Sequence, residues 1–231
     1  MANVVVDESC LSAIASAIRS KNGLSTTYLP GEMASAVAAI ESGGSGPANP
    51  TDAAATFSQT VASGSAAYVR TCAFMNCATI QSLELPQCSY VESSAFQNCA
   101  SLEGVSLPTC TTIQFQAFRG CQSLSSLSIP SCSYVGSSAF QNCAALSTLS
   151  LPACETLGSN ALRSCFSLVS LYLTSVSSVP TLGAGVFTST PIGGYSASTG
   201  TYGSVYVPGS LYAAFRTAAN WSSISARIVS V

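Results

Sequence analysis

Apolar residues recur along this chain with one long period. The motif A-F-x-x-C-x-x-L-x-x-L-x-L-P-x-C-x-x-V-x-x-x begins at Ala73-Phe74, Ala95-Phe96, Ala117-Phe118, Ala139-Phe140 and Ala161-Leu162, spaced by 22 without insertion. Ile80, Leu102, Leu124, Leu146 and Leu168 form one column. Leu83, Val105, Leu127, Leu149 and Leu171 form the next, and Leu85, Leu107, Ile129, Leu151 and Leu173 the third. Alternate leucines in L-x-L predict a short strand with one buried face, the residue between them pointing outward. Pro86, Pro108, Pro130 and Pro152 are expected to end each strand, because proline cannot donate to a ladder. The A-F-x-x-C half is expected to return as a turn or short 3₁₀ piece whose Phe fills the interior. One repeat buries too little apolar surface to offset the ordering of its own backbone. The repeats must therefore stack, which predicts a solenoid of short parallel strands with irregular or 3₁₀ returns.

The same period marks the ends. Tyr68-Val69 lies 22 before Tyr90-Val91, and Val61 lies 22 before Leu83, with neither proline nor cysteine in place. Residues 53–72 thus read as a degenerate N-terminal cap and 73–182 as five repeats. Downstream, Ser204-Val205-Tyr206-Val207-Pro208 matches Ser82-Leu83-Glu84-Leu85-Pro86. From Leu171 to Val205 is 34 residues, one repeat plus twelve, and the Gly-rich run from Pro191 to Gly203 is expected to hold the excess. Residues 183–231 then comprise insertion, last strand and C-terminal cap. A helix from Gly209-Ser210 should place Leu211, Phe215 and Ala218 on one face. Trp221 and Ile224 should cover the open core, and residues 228–231 should add a strand. Trp221 reads as a lid rather than a ligand contact, since an open solenoid end needs a large apolar cover.

Before the repeats the pattern changes. Leu11, Ile14 and Ile18 are spaced for a helix that stops at Asn22-Gly23, and Met33, Val37 and Ile40 for a second one opened by Pro30. Such short helices are marginal alone, so residues 1–41 are expected to dock or to oligomerise. Residues 42–52, rich in Gly, Ser and Pro, read as a flexible linker.

Composition narrows the chemistry. Of 231 residues only 7 are Lys or Arg and 9 Asp or Glu, a net charge of −2, and 43 are Ser. No basic patch is available for a phosphate backbone, so nucleic-acid binding is not expected. There is no His, and Lys21 is the sole lysine, which removes Ser-His-Asp and Cys-His catalysis and His-ligated metals. No catalytic site, cofactor or metal is expected. The apolar runs are short and broken by Ser and Pro, so no membrane insertion is expected. The first residues lack the basic and apolar regions of a secretory signal.

With these residues in hand, the repeat resembles the BspA-type (Treponema-type) leucine-rich repeats, which carry the same A-F-x-x-C-x-x-L signature. The resemblance spans roughly residues 57–231 and implies a curved parallel-sheet solenoid used in binding and adhesion, without enzymatic activity. The segment L-x-x-I-A-x-A-I-R-x-K-x-G…L-x-P-x-E-M-A-x-A-V-x-A-I, within residues 8–41, resembles short helical segments of bacteriophage tail-associated proteins. It implies a tail-fibre or tail-tip component: a virion protein made in the host cytoplasm, contacting other tail proteins or copies of itself through residues 1–41, with a trimer as the fibre-like case. The alternative is a BspA-like adhesin at a bacterial cell surface, or secreted.

Cys77, Cys99, Cys121, Cys143 and Cys165 form one 22-residue column, and Cys88, Cys110, Cys132 and Cys154 a second, offset by 11. Half a coil apart, the columns cannot pair with each other. Within a column, neighbours ~4.8 Å apart are parallel, whereas a disulfide needs converging Cβ atoms ~3.8 Å apart. Buried free thiols are expected, with Cys10 and Cys72 outside both columns. The outward position between the last two leucines is Glu84, Ser106, Ser128, Ser150, Tyr172 and Tyr206. On a curved solenoid this column should line the inner face, and hydroxyls with two tyrosines suit a host glycan or a polar protein surface. Small serines fitting a crowded face remain the alternative. A further column, Tyr68, Tyr90 and Tyr134 with Thr112 and Thr156, reads as an aromatic stripe or as turn packing.

Overall fold

The computed structural model describes residues 67–77, 80–194 and 200–231. Residues 1–41, the linker 42–52 and the cap up to residue 66 lie outside them. Each coil contributes two short strands, and every pairing is parallel. One column holds β1 (Tyr68–Val69), β3 (Tyr90–Val91), β5 (Thr112–Ile113), β7 (Tyr134–Val135), β9 (Thr156–Leu157) and β11 (Thr181–Leu182). It is a continuous six-stranded sheet. The other column holds the L-x-L strands β2 (Ser82–Glu84), β4 (Gly104–Ser106), β6 (Ser126–Ser128), β8 (Thr148–Ser150), β10 (Ser170–Tyr172), β12 (Ser204–Val207) and β13 (Ile228–Ser230). This column is two sheets, β2-β4-β6 and β8-β10-β12-β13.

The inter-coil bonds stop at the residue before each proline, and the proline also shapes the turn that follows. The L-x-L strands end two residues before them, and Leu85 N still reaches Ser106 O at 3.0 Å and Leu107 N reaches Ser128 O at 2.9 Å. Pro86 is the second residue of the turn closed by Cys88 N to Leu85 O at 3.2 Å. Its fixed φ suits that position. Pro108, Pro130 and Pro152 repeat this turn before Cys110, Cys132 and Cys154.

The return half is a run of tight turns in which amides alternate between partners. Ala73 N and Met75 N bond three residues back, to Arg70 O and Cys72 O, while Phe74 N and Asn76 N reach Ala95 O and Gln97 O of the next coil, both at 2.7 Å. Two positions per coil take positive φ. The first is Cys72, Ser94, Gln116, Ser138, Asn160 and Gly185; the second is Asn76, Asn98, Gly120, Asn142, Ser164 and Ser189. Asn and Gly tolerate this region best, which explains the second set. Cys72 thus occupies a regular turn position of its coil.

Inside, like stacks on like. Phe74, Phe96, Phe118 and Phe140 form a ladder with centroids 5.0, 5.0 and 5.4 Å apart and planes within 9°. Leu162 continues it, and Val186-Phe187 supplies a further A-F position that the sequence period does not reveal. The twelve extra residues are divided. Leu157 pairs with Leu182, 25 residues on, and Leu171 with Val205, 34 on. Three extra residues therefore lie between Leu171 and Leu182, and nine between Leu182 and Val205.

At the C-terminal end a 3₁₀ turn, Gly209–Leu211, runs into α1 (Tyr212–Thr217), and a second 3₁₀ segment spans Trp221–Arg227. Trp221 is fully buried, edge-on to Phe215 at 5.0 Å, with Nε1 donating to Pro180 O at 2.7 Å. It is the lid of the core. Trp221→Ala should cost about 3–5 kcal/mol, measured by denaturant unfolding. Gln116→Gly should relieve the left-handed strain and stabilise by up to ~1 kcal/mol, whereas Gly120→Ala should destabilise by ~1–2 kcal/mol. An alanine Cβ there would meet Asn98 Oδ1 at 2.5 Å with φ at +78°. Thermal melts of both variants check the opposite signs.

Candidate functional site

The L-x-L strands are too short to bury two faces, so their alternate residues must be exposed. Leu83, Val105, Leu149, Leu171 and Val205 point into the core, and two residues per strand point out. Register places Glu84 beside Ser106 and Ser106 beside Ser128. It likewise places Ser150 beside Tyr172, Tyr172 beside Tyr206, and Tyr206 beside Val229. The six candidate residues therefore form two runs of three, separated where β6 and β8 do not pair. Leu127, inward at that break, is only half-buried, unlike Val105 and Leu149.

A second outward column runs parallel: Ser82, Gly104, Ser126, Thr148, Ser170 and Ser204. Sequence reasoning overlooked it, although the signal was present, since the residue before the inward one is Gly, Ser or Thr in β2, β4, β6, β8, β10 and β12. In the two columns together Glu84 is the one charged side chain.

The aromatic end of this face has defined geometry. Tyr172 and Tyr206 stack with centroids 4.6 Å apart and planes 10° from parallel, each partly exposed. That spacing is the strand repeat itself. Nearby in the same cap, the Arg227 guanidinium lies 3.7 Å from the centroid of the exposed Tyr202 ring.

The other tyrosine stripe is fixed by packing at its start. Tyr90 accepts from Gln114 Nε2 at 2.6 Å, Tyr68 tilts against Tyr90 at 6.1 Å, and Arg70 sits over Tyr68 while pairing with Glu92 at 2.7 Å. Burial pushes the Glu92 carboxyl up, but the Arg70 guanidinium and the Thr71 hydroxyl and amide outweigh it and hold it below the usual value. Thr112 separates Tyr90 from the exposed Tyr134, so the rings do not form one continuous surface.

Cys88, Cys99, Cys110, Cys121, Cys132, Cys143, Cys154 and Cys165 are buried thiols outside any disulfide. Their donors explain why cysteine recurs. Cys99, Cys121, Cys143 and Cys165 each donate to the carbonyl of the phenylalanine one coil back, Phe74, Phe96, Phe118 and Phe140, at 3.0–3.2 Å. Each of these carbonyls also accepts the amide of its own coil's cysteine, as in Cys77 N to Phe74 O at 3.1 Å. A small apolar side chain with one weak donor meets both demands. Cys77 corrects the expectation of free thiols throughout: it is disulfide-bonded. Burial pushes Cys132, Cys154 and Cys165 up to about 12 and raises Cys143 well above its usual value. Cys110 and Cys121 are raised by contact with the neighbouring thiols, Cys88 and Cys99, and then by burial. These are unreactive groups at neutral pH.

Among the described residues no cluster of three or more His, Cys, Asp or Glu is placed to hold a metal ion, and no helix is long and apolar enough to cross a membrane.

The family described as BspA type leucine rich repeat region matches residues 57–194, in six copies. Among solved structures, a leucine-rich repeat protein from Bacteroides ovatus is 19% identical with a TM-score of 0.49, over 75% of this chain and 44% of that one. The T. pallidum leucine-rich repeat protein is 27% identical with a TM-score of 0.41, over 53% and 69%. A leucine-rich cell surface protein from Faecalibacterium prausnitzii is 22% identical with a TM-score of 0.38, over 48% and 37%. The chain thus spans less than half the length of the Bacteroides ovatus protein. Among curated proteins none matches.

The raised thiols predict an alkaline limit to the fold. Unfolded thiols ionise near pH ~8.5, whereas the folded ones keep their protons to about 12. The folded chain then holds more protons, so stability is complete below pH ~8.5 and is lost as pH rises towards 12. Each raised thiol removes about 1.4 kcal/mol per pH unit. With Cys110, Cys121, Cys132, Cys143, Cys154 and Cys165 acting together, unfolding by about pH 10 is expected in a far-UV circular-dichroism titration. Cys132→Ala with Cys154→Ala should lower the slope of stability against pH by about one third.

Proposed function

Because the chain belongs to the BspA-type leucine-rich-repeat family, we propose that it is a non-enzymatic adhesin that binds a surface partner through the outward face of its L-x-L strands. The observation that carries this reading is the in-register pair of hydroxyl-rich columns ending in the Tyr172–Tyr206 stack. Stacked repeats build an extended surface that one coil cannot. Neutral hydroxyls and tyrosines give it polar contacts at low desolvation cost. The proposed setting is a bacterial cell surface, with a host protein or glycan as partner.

A second setting rests on residues 8–41, whose pattern resembles phage tail-associated segments. There the same face would contact the bacterial host surface, and residues 1–41 would join the chain to tail proteins or to further copies of itself. This segment lies outside the described residues. Its own test is solution mass: a trimer that becomes a monomer on deletion of residues 1–41 would support an assembly role.

Labelled full-length chain should bind saturably to epithelial-cell monolayers or to bacterial cell envelopes. Replacing Ser106, Ser128 and Ser150 together with Arg should reduce that binding at least tenfold with the fold intact by circular dichroism. Undiminished binding by the triple variant would overturn the assignment to this face.

A further inference from the structure

The strand ladder stacks side chains at one fixed step, and at Tyr172 the two sides of that step differ. On the β12 side the step is filled by a ring, Tyr206, at 4.6 Å. On the β8 side the residue in register is Ser150, an exposed hydroxyl on a single carbon. A serine occupies only the base of that position, so the outer part of the Tyr172 ring on this side faces no side chain of its own ladder. Beyond Ser150 the sheet ends, because β8 has no pairing with β6.

What suits this step is a flat group about as thick as an aromatic ring, with one apolar face and polar edges. A pyranose ring has that form: its axial C–H face stacks on an aromatic and its equatorial hydroxyls need donors and acceptors. Thr148 and Ser150 on β8 and Ser170 on β10 supply hydroxyls on the same face of the sheet. None of these residues is charged, which favours a neutral sugar over a phosphorylated or sulfated one. A protein partner would instead call for a central buried anchor within a patch of about 800 Å², whereas both rings here are partly exposed.

We propose that the β8-facing side of Tyr172 is a subsite for one pyranose ring of a neutral glycan, held by stacking on the ring and by hydrogen bonds from Thr148, Ser150 and Ser170. The proposal rests on the adhesion face described above and names its ligand class.

The test uses the full chain with cellohexaose, chitohexaose and mannohexaose as probes, followed by saturation-transfer NMR and calorimetry. At least one hexasaccharide should bind with a Kd of millimolar or below. Ser150→Tyr would extend the stack over the proposed subsite, and should weaken that binding at least tenfold without lowering Tm. Tyr172→Ala should weaken it similarly, Tyr172→Phe should keep most of it, and Glu155→Gln, exposed beside the other strand column, should leave it unchanged. Absence of binding to all three sugars, or wild-type affinity in Ser150→Tyr, would overturn the subsite. Surface binding that survives periodate treatment of the target and the Ser150→Tyr change, yet is lost in the triple serine variant, would overturn the glycan while leaving the adhesion face in place.

Discussion

Hydrogen bonding between successive coils at constant pitch is the constraint on which this molecule depends. Two strands per coil pair with their equivalents in the next, and in the return turns alternate amides, such as those of Phe74 and Asn76, also cross to the next coil. A buried amide without a partner costs about 1–3 kcal/mol, so one residue too many within a coil would orphan several groups. The twelve extra residues near the end are accommodated between ladders rather than in them: Thr181–Leu182 and Ser204–Val207 still pair in register with their predecessors.

The same constraint dictates side-chain choice inside and out. In the core it stacks phenylalanine on phenylalanine and sets each thiol against the carbonyl of the coil before. On the surface it sets like positions ~4.8 Å apart, where two like charges repel by about 1 kcal/mol even in water. A long column of one charge is therefore costly, and neutral hydroxyls are favoured whatever the partner. The Arg70–Glu92 pair shows the permitted exception, opposite charges on adjacent coils at 2.7 Å. The chemistry of such a surface changes only where a column changes character, as between Ser150 and Tyr172.

The break between β6 and β8 coincides with another change of column. The residue after the short strand is Arg70, Glu92 and Gln114 in the first coils and Gly136, Gly158 and Gly183 thereafter. A Cβ on Gly158 would lie 2.5 Å from Ser137 N, and one on Gly136 2.7 Å from the Gln114 carbonyl carbon. From Gly136 on, the coils approach more closely at this corner than a side chain permits, and it is across this stretch of chain that the neighbouring sheet divides.

The amino-acid sequence by itself determined the period, the L-x-L strands, the buried columns and the Trp221 lid, because each follows from which residues must leave water at a repeat of 22. Other features were decided by tertiary structure. Gln116 at positive φ, the turn role of Pro86, the Val186-Phe187 position and the division of the inserted residues all depend on where a neighbouring coil lies. So does the site. Six outward residues looked like one column in the chain, and the loss of pairing between β6 and β8 made them two runs, with one face of Tyr172 next to a serine. Periodicity records burial, which each residue feels alone, whereas register and the spacing between coils belong to pairs of segments far apart in the chain.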